Sequence, residues 1–203
     1  MHDETQRFML GEIVSIRSSY TFRRKIEPDF NGNIKVIQMK DIDPYHQIDF
    51  SDVYTVDIEK INQQHLLKPG DILLRTRGIS ENAINEAVLV PEKIGQAVAN
   101  HLTVLRPTST KVDSAYLVWY LNQPKSQHYI KRLAVGSGMK MISNADLKNL
   151  SVVVPPLQRQ KLIAKIAQLS QEEHRLLENI NEKRRTYINA LLMQEVTAGE
   201  EVN

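Results

Sequence analysis

"ISNADLKNLSVVVPPLQRQKLIAKI", residues 142 to 166, decides the fold. Ser143-x-x-Asp146 resembles a capping box with aspartate in place of the usual glutamate, and it predicts a short helix across Asp146 to Leu150. The valines that follow predict a strand over 151–154. Pro155 and Pro156 then remove two backbone donors and forbid continuation of a ladder. From Leu157 to about Glu195 there is neither proline nor glycine. One helix is therefore expected there, at ~1.5 Å per residue a rod of ~55–60 Å.

The rod carries a seven-residue pattern: Leu162, Ile166, Leu169, Glu173, Leu176, Ile180, Lys183, Tyr187 and Ala190. Two of these positions are charged, but Leu177, Ile188 and Leu191 widen the stripe beside them. A lone helix of this composition is marginal in water, and most helical stability comes from burying a face. The stripe thus needs a partner: the body of its own domain, a second copy or another protein. The length exceeds what the body requires, which points to an intermolecular coiled coil seamed by Leu162, Ile166, Leu169, Leu176, Ile180, Tyr187 and Leu191. "TAGEEVN" (197–203) reads as a disordered tail.

Ahead of residue 142 the pattern is mixed. "GEIVSI" (11–16), "IKVIQMKDI" (34–42), "VYTVDI" (53–58), "EAVLV" (86–90) and "HLTVLRP" (101–107) read as strands. Between the first two lies a polar loop that ends in the turn signal Asn31-Gly32-Asn33. Pro69-Gly70 predicts a tight turn feeding a strand through Ile72, Leu73 and Leu74. The period then changes. "SAYLVWYLNQ" (114–123) predicts a helix capped by Asp113, and "PKSQHYIKRLAV" (124–135) a second with Pro124 in its first turn. The expected organisation is an α/β (α+β) body over 1–154, a long spacer helix over 155–196 and the tail over 197–203.

The 203 residues include 41% hydrophobic and 25% charged side chains, ordinary for a globular chain. With no cysteine, disulfides and thiolate metal sites are excluded, and a cytoplasmic location is expected. No apolar run approaches the ~20 residues that span a bilayer, and the polar start "MHDETQRFML" is unlike a signal peptide. The net charge is only +2. Any nucleic-acid-binding face must come from the placement of cations, of which Arg23, Arg24 and Lys25 form the clearest cluster; a solvated loop explains that cluster equally.

Catalytic signatures are weak. The six histidines show no metal-ligand spacing, and no nucleophile elbow is present. Gly136-Ser137-Gly138-Met139-Lys140 lacks the ending and the flanking elements of a phosphate loop. Asp29 after Pro28, with Lys40 closing Gln38-Met39-Lys40, resembles a degenerate Mg²⁺-dependent nuclease signature, but glutamine stands where the second carboxylate belongs. A binding body fits better. Arg75 and Arg77 leave the strand 72–74, and arginine is the commonest reader of guanine. Ser19, Tyr20, Thr21, Arg23, Arg24 and Lys25 suit phosphate and base-edge contacts. Ser137 and Lys140 sit in the glycine loop, and Asn144 opens the capped turn.

"LKPGDILLRTRG" (67–78), "ANHLTVLRP" (99–107), "YLVWYLN" (116–122) and "GSGMKMISNADLKNLSVVVPPLQRQKLI" (136–163), in this order, resemble the target-recognition domain of type I restriction-modification specificity subunits. The most specific piece runs from Ile142-Ser143 through the valines and the two prolines to Gln160 and Ile163. The resemblance implies a DNA-reading subunit with no catalytic site and no cofactor of its own. Its partners would be double-stranded DNA, an adenine methyltransferase subunit carrying S-adenosylmethionine and a translocating restriction subunit. The family's full-length members hold two recognition domains and two helical spacers, whereas this sequence has one of each. It therefore looks like a half-subunit, expected to form a homodimer that reads a split palindromic site. A nuclease using Asp29 and Lys40, or a coiled-coil adaptor without DNA binding, are the competing readings.

Overall fold

A computed structural model describes residues 4–22, 25–58, 61–76, 86–134 and 141–200, the side chains of 198–200 excepted. The chain divides into two compact units, Met1–Ala164 and Lys165–Asn203. In order, the elements are β1 (Gln6–Met9), α1 (Leu10–Ile13), β2 (Val14–Ser18), β3 (Ile34–Ile37), β4 (Tyr54–Val56), β5 (Ile72–Leu74), β6 (Ala87–Leu89), β7 (Ala97–Ala99) and β8 (Thr103–Pro107). After them come α2 (Ser114–Leu121), α3 (Pro124–Arg132), α4 (Asn144–Leu147), β9 (Ser151–Val154) and α5 (Leu157–Glu200). Expectation and structure agree on a mixed sheet-and-helix body followed by one long helix.

Among the described residues, three sheets build the first unit. β2, β8, β5 and β6 form an antiparallel sheet in that order. A second sheet has the order β4-β3-β7, with β3 antiparallel to β4 and parallel to β7. β1 and β9 pair antiparallel as a third, from Gln6 opposite Val154 to Met9 opposite Ser151.

Side-chain alternation assigns each strand's faces. Ile72 and Leu74 of β5, with Leu105 of β8, enter a cluster completed by Leu117 and Leu121 of α2, Ile130 of α3 and Leu147 of α4. Leu73 and Val104 point the other way and meet Ile37, Ala97 and Ala99 of the second sheet. On that sheet's far face Ile34, Val36, Val56 and Val98 pack with Tyr20, Phe22 and Leu66. β5 reads as an unbroken apolar run because it is buried on both faces.

Local chemistry sets the corners. Gly70 has φ of +82°, and Asp71 N donates to Lys68 O at 3.0 Å, a turn that places glycine where a side chain would strain. Gly32 abuts β4 so closely that a Cβ there would lie 2.5 Å from the Val56 backbone. Asp113 caps α2 by accepting from Tyr116 N at 2.9 Å. Ser143 caps α4 by accepting from Asp146 N at 3.0 Å while donating its hydroxyl to the Asp146 carboxylate at 2.6 Å.

Four expectations are corrected. Residues 11–13 belong to the single helical turn α1, whose backbone is tied to Leu150 O and Lys148 O, so the strand begins only at Val14. The strand from Ile34 ends at Ile37, because Asp41 accepts from Gln38 N at 2.7 Å and closes a 3-10 turn over Met39–Asp41. The short helix starts at Asn144, two residues early. α5 spans 44 residues and reaches Glu200, so the expected tail is helical for its first four positions; 201–203 lie outside the described residues.

α5 begins inside the first unit. Gln160 is fully buried, accepts from Asp113 N at 2.8 Å and donates to Lys111 O at 2.8 Å and Pro155 O at 2.7 Å. Further along, the apolar stripe is exposed: Leu162, Ile166, Leu169, Leu176, Ile180, Tyr187 and Leu191 each keep at least 42% of their surface.

Candidate functional site

A cleft of about 270 Å³ opens in the first unit. Four chain segments line it. Ser18, Ser19 and Thr21 come from the end of β2 and the loop beyond it, and Thr76 from just past β5. His101 and Leu102 come from the turn joining β7 to β8, Thr103 from the start of β8, and Met141, Ile142 and Asn144 from the entry to α4. The lining holds no carboxylate, lysine or arginine and is rich in hydroxyls, each able to donate and to accept.

Backbone bonds hold these segments in register. Tyr20 N donates to Ala99 O at 3.1 Å, Asn100 N to Ile37 O at 2.9 Å and Ile142 N to Thr76 O at 3.0 Å. The hydroxyls of Thr76 and Thr103 share a buried hydrogen bond of 2.7 Å. His101 is exposed and holds a left-handed backbone with φ of +58°. A residue other than glycine rarely adopts that region, and such strain concentrates at functional positions.

Of the expected site residues, the structure brings Ser19, Thr21 and Asn144 together in the cleft. Tyr20 turns inward: its ring meets Phe22 at 4.8 Å and His65 at 5.5 Å between centroids, so its aromatic face is used in packing. Lys25 is exposed, and Arg75 is half-buried with its N–H donating to Glu86 O at 3.2 Å. Arg23, Arg24, Arg77, Ser137 and Lys140 lie outside the described residues. Sequence reasoning missed His101, Thr103 and Met141. The one available signal was Asn100-His101, since both residue types tolerate the left-handed region better than most.

A half-buried ion pair stands at the base of β2. Arg106 grips Asp71 with two hydrogen bonds of 2.6 Å and also donates to Leu66 O at 3.0 Å. Arg17 approaches the same carboxylate at 3.9 Å. Burial, joined by repulsion from Arg106, lowers the Arg17 pKa from its ordinary value.

Asp29 and Lys40 are spoken for locally. The Asp29 carboxylate accepts from Asn31 N at 2.9 Å. Lys40 contacts the Asp41 carboxylate at 2.8 Å, donates to Asp52 O at 2.7 Å and lies 4.2 Å from the Tyr54 ring centroid. The hydrogen bond to Asp41 is the main reason its pKa is raised. Among the described residues no group of three or more His, Asp or Glu is placed to hold a metal ion. The nuclease reading gains no support.

The family model for the type I restriction modification DNA specificity domain matches residues 2–183. The chain belongs to this family. A curated relative from Methanocaldococcus jannaschii, provisionally named the type I restriction enzyme MjaX specificity subunit, is 30% identical over 114 residues, covering 54% of this chain and 27% of the relative. Solved structures share the fold of this specificity-domain chain. One, from a study of complex assembly and conformational transition of the type I R-M system, superposes with a TM-score of 0.66 at 16% identity, covering 94% of this chain and 44% of that one. The HsdS subunit from Thermoanaerobacter tengcongensis gives 0.56 at 19% identity, covering 88% and 40%. The type I S subunit from M. genitalium gives 0.58 at 15%, covering 90% and 43%. The chain thus spans less than half of each relative.

Proposed function

We propose that this chain is a sequence-specific DNA-recognition subunit of a type I-like restriction-modification system, and that the chemistry belongs to its partners. The observation that carries the reading is the hydroxyl-lined cleft, built from four segments of a body that belongs to the specificity-domain family. Hydroxyls, an amide and an imidazole suit base edges, while phosphates are held by cations such as Lys25 outside the cleft. An adenine methyltransferase subunit bearing S-adenosylmethionine is the partner this reading requires, and a translocating restriction subunit is compatible with it.

In this reading α5 is the spacer and the dimerisation element. Its exposed stripe supports this, because a helix stabilises chiefly by burying such a face. Two copies joined through α5 form a homodimer whose symmetry matches a split palindrome. Among the described residues no helix is long and apolar enough to cross a membrane, which agrees with a cytoplasmic site of action.

Binding to a duplex pool with randomised positions, sequenced after enrichment, tests the reading. The expected result is an enriched two-part motif, with log affinity falling against log salt at roughly 0.9 per phosphate contact. Absence of both enrichment and salt dependence would leave a coiled-coil adaptor.

A further inference from the structure

We propose that His101 is a specificity-determining residue of this chain, reading the N7 edge of a purine from the left-handed turn between β7 and β8. The inference rests on the DNA-reading function above and names a contact within it. Three observations converge. His101 lines the cleft beside the hydroxyls of Ser19 and Thr103. Its φ of +58° lies in the left-handed region, which glycine enters freely and histidine less often; His46 shares that angle away from the cleft, so the placement of His101 is what sets it apart. The turn is also fixed at its flanks, through Ala99 O to Tyr20 N and through Asn100 N to Ile37 O. An exposed imidazole, pinned on a firm turn at the cleft, is placed to meet a ligand.

The chemistry follows from the side chain. An imidazole ring carries an N–H donor, and N7 is an acceptor on both adenine and guanine in the major groove. His101 therefore distinguishes purine from pyrimidine at one position. The neighbouring hydroxyls suit either partner type and are less selective. Met141, 42% exposed at the rim, offers an apolar surface to an adjoining thymine methyl.

The test compares the full chain with His101→Ala, His101→Asn and His101→Gly, using the randomised duplex pool as probe and thermal unfolding as a fold control. Wild type should enrich a motif with a purine at one position. His101→Ala and His101→Gly should lose that preference by roughly five-fold, the worth of one hydrogen bond, leaving other positions and the salt slope unchanged. His101→Gly should keep or raise the melting temperature, because it removes the left-handed penalty, so loss of preference there is not loss of fold. His101→Asn, whose amide pairs with both N6 and N7 of adenine, should shift the preference toward adenine. An unchanged motif in folded His101→Gly overturns the proposal while DNA reading stands. A wild-type chain that enriches no motif overturns the parent function and the proposal with it.

Discussion

The side-chain carbonyl of Gln160, on the first turn of α5, accepts the backbone N–H of Asp113 at 2.8 Å across 47 positions of sequence. Asp113 is itself the cap of α2. One glutamine thus ties the start of the long helix to the start of another, and its two amide hydrogens satisfy Lys111 O and Pro155 O. Replacing it with alanine strands buried polar groups. Gln160→Ala should cost about 2–4 kcal/mol, read as a lower urea midpoint at unchanged slope. A loss under about 0.5 kcal/mol would show that water replaces the amide.

The pair formed by Asp71 and Arg106 makes a second prediction. Asp71 is 1% exposed, so removing its partner leaves a buried charge short of donors. Arg106→Met should destabilise by about 3 kcal/mol. Combined with Asp71→Asn, the loss should fall short of the sum of the two single losses by about 1 kcal/mol or more. Strict additivity in chemical unfolding would mean that the two residues act independently.

Tyr116 links stability to alkaline pH. Its hydroxyl donates to Val153 O at 2.6 Å. Burial, aided by Tyr120, pushes its pKa up from 10.0 to about 12. The native state therefore holds this proton more tightly than the unfolded chain. The resulting stability is complete below pH 10.0 and is lost as pH rises through about 12. Tyr116→Phe has no proton to lose, so the wild-type advantage should shrink between about pH 10 and about pH 12 in urea melts. A constant difference would show that the phenol ionises as freely as in the unfolded chain.

The exposed stripe on α5 predicts self-association. Leu169 and Ile180 retain 56% and 52% exposure, and an aspartate at either site would put a charge into a coiled-coil seam. Leu169→Asp with Ile180→Asp should halve the mass seen in sedimentation while leaving the thermal midpoint of the first unit in place. A wild-type chain that already sediments as a monomer at micromolar concentration would remove the dimer from the scheme.

Legibility followed burial and periodicity. β5 was readable because Ile72, Leu73 and Leu74 are apolar and follow a proline-glycine turn, and α2 because Asp113 precedes a continuous apolar run. α5 was readable from the absence of breakers. β1 was not, since Gln6-Arg7-Phe8-Met9 is mostly exposed and shows no alternation. β7 was missed because Ala97-Val98-Ala99 is three small residues buried between layers. α1 is one turn, too short for any period to declare itself, so Gly11–Ile13 merged with the strand behind it. Most of the cleft stayed hidden for a different reason: Ser19, Thr21 and Asn144 were legible as polar loop residues, but Thr76, His101 and Thr103 join them only through sheet pairing and backbone bonds between distant segments, with Asn100-His101 the one faint local signal.

β1 pairs with β9, a strand about 140 positions further along the chain. During synthesis β1 leaves the ribosome long before β9 exists. It must wait, unpaired and edge-exposed, until almost the entire body has emerged. Closure of the nascent domain is thereby timed to the moment translation reaches the long helix, so the chain completes its head just before it begins to make its spacer.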